Sequence, residues 1–175
     1  APLAFQITVG SRVFVATDPM GKETVGMNMA EGELPAEIVS RFANGTTRRY
    51  EDVGMGTAHS AASIGARALR GYLDQAAAVL GHDTGISVSA SLATEASGFR
   101  TRWGADTRDT HVNVVTQSGG TADTLAYGMM VTADPARSAS VTATINKRTS
   151  DTGNVVTSAG GGVMFIADGR MTEIA

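Results

Sequence analysis

The chain of 175 residues has no cysteine. That excludes a disulfide scaffold, a thiolate zinc site and a cysteine nucleophile. It has no apolar run longer than about six residues, far short of the roughly 20 a membrane-spanning helix needs. No basic segment leads into an apolar stretch after Ala1, so no signal peptide is visible within these residues. Charge is scarce in both signs. With 14 Lys+Arg against 17 Asp+Glu the net charge is −3, which excludes bulk attraction to nucleic acid or to an anionic membrane as the main activity. Lysine is almost absent, at Lys22 and Lys147, and there are only three histidines.

What is present is small. Counting 27 Ala, 21 Thr, 21 Gly and 13 Ser accounts for close to half the chain. Thr favours strands and turns, whereas Gly weakens the interior of any element. At 42% hydrophobic and 18% charged the sequence is nonetheless that of a globular protein. Its length suits a single domain, 1–175, with strands and helices of 1–84 packed on a β region of 85–175.

Two helices stand out. Pro35 opens a short one over 35–44, with Ile38, Val39 and Phe42 on its apolar face and Asn44-Gly45 as its stop. A long one runs over 57–80, with Thr57 as N-cap and Gly81 as terminator. Its stripe of Ala58, Ala61, Ala62, Gly65, Leu69, Tyr72, Leu73, Ala76 and Leu80 recurs at helical spacing. Packing on its own sheet accounts for that stripe more simply than a subunit contact does.

Strands are expected over 5–16, 23–29 and 46–53. From residue 85 the period changes to two, as in Ile86, Val88, Ala90 and Leu92. Further short strands follow over 98–104, 108–117, 123–132, 138–149, 154–158, 162–167 and 170–174, separated by turn residues at Asp134-Pro135, Ser150–Gly153, Gly160-Gly161 and Asp168-Gly169. The fold class this predicts is α+β and mostly β: an antiparallel β-sandwich, jelly-roll-like or barrel-like sheet over 85–175, carrying the helices 57–80 and 35–44.

No catalytic motif emerges. Gly54-Met55-Gly56-Thr57-Ala58-His59 leads from a strand into a helix, yet lacks the third glycine of a dinucleotide fingerprint and the Gly-Lys-Ser/Thr of a P-loop. It reads as a turn and helix cap. His59, His82 and His111 have no spacing that binds zinc, and no Gly-x-Ser-x-Gly elbow is present. Glu31/Glu33 and Glu51/Asp52 read as solvated pairs. Neither a metal nor a cofactor is expected.

The densest polar set lies in the expected hairpin 98–117. A turn centred on Ala105-Asp106 would place Arg100, Arg102, Asp109, His111 and Asn113 on one face, with Trp103 and Arg108 paired on the other. Arg100, Arg102, Trp103, Asp109, His111 and Asn113 are therefore the candidate binding or interface residues, since Arg and Trp are enriched at contacts. The function expected is a non-enzymatic structural subunit of a homo-oligomeric assembly such as a virion, tail, shell or extracellular surface component. Its partners would be copies of itself, other assembly subunits or a glycan, with neither nucleic acid nor membrane. The alternatives are a carbohydrate- or ligand-binding β-sandwich module and a small enzyme using His59, His82 or His111.

Overall fold

The computed structural model describes residues 4–6, 13–17, 23–27, 30–31, 35–103, 108–133, 140–147 and 149–166. Three short strands come first: β1 (Ala4–Gln6), β2 (Val13–Thr17) and β3 (Glu23–Met27), paired antiparallel in that order. The two-residue β4 (Ala30–Glu31) follows, then α1 (Ala36–Ala43), which buries Ile38. From there strands and helices alternate. They are β5 (Arg49–Gly54), α2 (Thr57–Leu80), β6 (Ser87–Leu92), α3 (Ala93–Trp103), β7 (Thr110–Thr116), α4 (Ala122–Thr132), β8 (Val141–Ile145), α5 (Asp151–Ser158) and β9 (Gly162–Ile166).

Strands β5 to β9 form an all-parallel sheet in the order β9-β8-β7-β5-β6, and β4 adds an antiparallel edge on β9. Numbered along the chain, the parallel strands lie 2-1-3-4-5. The chain steps outward from β5 to β6, crosses back over β5, and continues through β7, β8 and β9. This is an open α/β sheet, and it overturns the expected antiparallel sandwich, jelly roll or barrel.

The correction has a physical cause. Parallel neighbours cannot be joined by a tight turn, because each connection must return the length of a strand. Three segments expected as strands lie in those crossovers and are helical: 98–103 in α3, 123–132 in α4 and 154–158 in α5. In α4 the buried residues are Thr124, Tyr127, Gly128 and Val131, a helical spacing that the Thr and Gly content disguises. Ser150, expected in a turn, caps α5 by accepting a hydrogen bond from the Gly153 amide at 3.2 Å. The expected strand 170–174 and the turn residues Ala105-Asp106, Asp134-Pro135 and Asp168-Gly169 lie outside the described residues.

Each face of the sheet has its own character. Val53, Val112, Val114, Val141, Ala143 and Ile145 face α3, α4 and α5 and pack with Ala93, Ala96, Tyr127, Val131 and Val156. The Tyr127 hydroxyl donates to Glu51 Oε2 at 3.3 Å. On the opposite face α2 lies over β5 and β6 and reaches the edge of β7. It buries Ala62 and Ala66, and Gly81 ends it at φ +74 with its amide on Ala77 O at 2.9 Å. Gly54 lets α2 start this close. A Cβ there would lie 3.0 Å from Ala58 C, His59 N and Val115 O, all backbone atoms with little freedom to retreat.

The three-helix face is the apolar core, and that yields a stability test. Ile145 is 0% exposed and Ile64, on α2, is 69% exposed. Ile145→Ala should cost about 2–5 kcal/mol, and Ile64→Ala should stay within about 0.5 kcal/mol, both read from urea unfolding. Equal costs would contradict the assignment of the core.

Candidate functional site

Three adjacent strands each carry two polar residues two positions apart. These are Tyr50 and Asp52 on β5, His111 and Asn113 on β7, and Thr142 and Thr144 on β8. The parallel register sets Tyr50 beside His111, and Asp52 beside Asn113, which in turn adjoins Thr142. Alternation then puts all six on the α2 face. Asp52, His111, Asn113 and Thr142 are buried, at 4%, 2%, 7% and 2% exposure. A parallel sheet covered on both faces normally uses apolar residues at such positions.

Hydrogen bonds link the six into one network. The Tyr50 hydroxyl donates to Asp52 Oδ1 at 3.0 Å, and Asn113 Nδ2 donates to the same oxygen at 2.8 Å. Thr142 and Thr144 each donate a hydroxyl hydrogen to Asn113 Oδ1 at 3.0 Å. His111 Nε2 lies 3.0 Å from Thr142 Oγ1. Since Thr142 has already given its only hydrogen to Asn113, the imidazole must donate through Nε2–H. The neutral ring then keeps its lone pair on Nδ1, which is buried without a hydrogen-bond partner among the described residues. Tyr50 stacks on the ring at 5.6 Å between centroids, and Phe42 of α1 meets it edge-on at 5.4 Å.

Burial sets the protonation states. It is the largest influence holding the Asp52 carboxyl above the usual carboxylate range, opposed by the hydrogen bonds from Asn113 and Tyr50. Burial, reinforced by the Asp52 charge, pushes the Tyr50 phenol up. His111 is driven down from 6.5 to about 4, first by burial and then by the Arg41 charge.

A cleft of about 230 Å³ opens beside this row, because α2 covers β5 and β6 but not β8. Tyr50, Asp52, Asn113 and Thr144 form its polar floor. Ala61, Ala62, Gly65 and Leu69 of α2, with Val115 of β7, form its apolar walls. A Cβ built on Gly65 would lie 3.7 Å from Asp52 Oδ2, so the second carboxylate oxygen is directed at the α2 wall of the cleft. The cleft lies at mid-strand on the α2 face, beside the point between β5 and β7 where the strand order reverses, and not at the carboxyl ends of the strands, where open α/β sheets commonly hold ligands.

The residues expected to share a hairpin face are distributed differently. His111 and Asn113 belong to the buried network. Asp109, just before β7, accepts hydrogen bonds from Arg49 Nη2 at 2.6 Å and Nε at 3.0 Å. With the two side chains 48% and 39% exposed, that pair is worth at most about 1 kcal/mol. Arg100, Arg102 and Trp103 lie on α3 and not on a strand, so the cross-strand register drawn for them does not form; their side chains are outside the described residues. The other histidines are far apart. His59 is in the first turn of α2, 3.5 Å from Ser63 Oγ, and His82 follows its last turn.

The residues that sequence reasoning missed are Tyr50, Asp52, Thr142 and Thr144. The available signal was a polar pair at positions i and i+2 in each of three strands, in Tyr-Glu-Asp, His-Val-Asn and Thr-Ala-Thr. On an antiparallel strand such a pair marks the wet face. Here Asp52, His111, Asn113 and Thr142 are buried.

Among the described residues no cluster of His, Asp or Glu is arranged to hold a metal ion, and no helix is long and apolar enough to cross a membrane. The class defined by fold and site is an open parallel α/β sheet with a buried carboxylate at a lateral cleft. No protein-family model and no curated protein matches the chain.

The histidine yields a pH test. Because its folded pKa is depressed, the native state favours the neutral ring. The resulting stability is complete above pH 6.5 and is lost as pH falls to about 4, a difference of about 3 kcal/mol by linkage. Asp52, shifted upward, acts in the opposite sense. Urea unfolding across this window should therefore show a slope in the wild type that is reduced in His111→Gln. Parallel pH profiles for the two proteins would refute the assignment.

Proposed function

We propose that the protein binds a small polar ligand in the cleft between α2 and strands β5, β7 and β8, with Asp52 as its principal contact. The observation that carries this reading is the Asp52 carboxylate, 4% exposed, with Oδ1 engaged by Tyr50 and Asn113 and Oδ2 directed at the cleft. A sheet built for stability alone would use apolar residues here, since buried ionisable groups are weak contributors to stability. A row that departs from the surrounding pattern is the expected sign of a site. The cleft is smaller than the roughly 300–1,000 Å³ of drug-sized pockets, which suits a ligand of a few heavy atoms. The expected virion or shell role drew on a continuous run of short strands; with three of those segments helical, that support is gone.

The test uses Gly65, where a methyl would make only an ordinary contact with Asp52. Gly65→Leu should keep the fold and fill the cleft. A screen of small polar compounds should find some that stabilise the wild type, by about 2.7 kcal/mol at a hundredfold excess over Kd, and so raise its melting temperature. The filled variant should not respond. No stabilising compound, or an equal response in both proteins, would defeat the reading.

A second reading, self-association, is favoured by the outer face of α2. Ile64, Tyr72 and Val79 are 69%, 70% and 87% exposed there, with Ala68 and Gln75 between them at helical spacing. Exposed Arg67 and Asp74 share one flank. In an antiparallel pair of α2 helices from two copies, centred near Arg70 and Gly71, each Arg67 would oppose the other copy's Asp74 in a two-fold contact. Light scattering at micromolar concentration should give a dimer mass that Tyr72→Asp reduces to the monomer. A monomer mass in the wild type would exclude this reading.

A further inference from the structure

We infer that the cleft selects a ligand carrying a primary ammonium group on a short apolar stem, a conclusion that rests on the ligand-binding reading above. It comes from counting hydrogens. Tyr50 spends its hydroxyl hydrogen on Asp52 Oδ1. Thr142 and Thr144 spend theirs on Asn113 Oδ1. Asn113 donates one of its two amide hydrogens to Asp52 Oδ1. The hydroxyl donors of the polar floor are thus turned inward.

What remains for a ligand is lone pairs, on Asp52 Oδ2 and Thr144 Oγ1, both groups on the floor of the cleft. A carboxylate or phosphate would meet the like charge of Asp52. An alcohol could donate one hydrogen but carries no charge to pair with the carboxylate. An ammonium group has three donors and a positive charge, which matches a carboxylate oxygen and a hydroxyl lone pair on the floor. A hard divalent cation would need six or more oxygen ligands, more than this floor supplies. The walls of Ala61, Ala62, Leu69 and Val115 suit methylene groups, and they strengthen an ion pair by excluding water. The bound cation would also offset the burial that disfavours the ionised Asp52.

The experiment compares three probes of one shape on the whole chain: n-butylammonium, 1-butanol and butyrate. The readout is the methyl resonances of Leu69 and Val115, with those of Val112 and Val114 on the opposite face as controls. Butylammonium should shift the cleft methyls saturably and bind at least about tenfold more tightly than butanol, whereas butyrate should have no effect. Asp52→Asn, which presents a donor in place of an acceptor, should lose at least about tenfold in ammonium affinity. Gly65→Leu should abolish binding, which keeps the test decisive if Asp52→Asn does not fold. Preference for butanol or butyrate, undiminished ammonium binding in Asp52→Asn, or no response to any probe would overturn the ammonium assignment. The ligand-binding reading fails separately, if compounds of every charge leave the cleft methyls and the melting temperature unmoved or act equally on the wild type and Gly65→Leu.

Discussion

The 2.8 Å hydrogen bond from Asn113 Nδ2 to Asp52 Oδ1 joins neighbouring strands at the level where their buried polar side chains would otherwise be stranded. Asn113 is the one member that both donates to the carboxylate and accepts from Thr142 and Thr144, so it couples three strands. A buried polar network is favourable only when nearly every valence is satisfied. Here the exceptions are informative. Asp52 Oδ2 is directed at a cleft, and His111 Nδ1 is sealed beneath the rings of Phe42 and Tyr50.

The two faces of the sheet divide the work. Under α3, α4 and α5 the small aliphatic side chains of β5, β7 and β8 form a core with Tyr127 at its centre, and stability resides there. On the opposite face the same strands present polar residues, which over β5 and the edge of β7 lie beneath a helix rich in alanine and glycine. Those small residues serve two ends. Ala62 and Ala66 let the helix lie close over β5 and β6, while Ala61 and Gly65 leave room beside it for the cleft. The loop after β7 is held in a related way. Gly119, at φ +71, accepts at its carbonyl from Thr152 N at 3.0 Å and Thr152 Oγ1 at 2.8 Å, tying the start of α5 to the C-terminal edge of the sheet.

Much of the local structure was legible in the chain. Helix 57–80 could be read because a long uninterrupted run at helical spacing and a terminal glycine agree, but the expected stripe is too wide: Ala62 and Ala66 are buried, whereas Tyr72 and Leu80 are 70% and 59% exposed. The strands β5 to β9 fall within segments whose alternation or β-branched content marked them as strands. The crossover helices could not be read in the same way, because 21 Thr and 21 Gly give α4 and α5 the composition of strands and turns. Ser150-Asp151-Thr152-Gly153 is a turn by composition and a capped helix start in the fold.

The sequence by itself located the five strands of the parallel sheet and the longest helix, and determined that no site could depend on cysteine, while it also marked three crossover helices as strands. Only the tertiary structure decided which strands are neighbours, whether they run parallel, and which face of each is covered. The reason is that alternation has a period of two and is blind to strand direction. Tyr50/Asp52, His111/Asn113 and Thr142/Thr144 show the same pattern whether one face meets water or meets α2. Pairing β5 with both β6 and β7 in parallel required helical crossovers, placed α2 over β5 and β6, and brought three wet-looking pairs into a largely buried network with one carboxylate oxygen directed at a cleft.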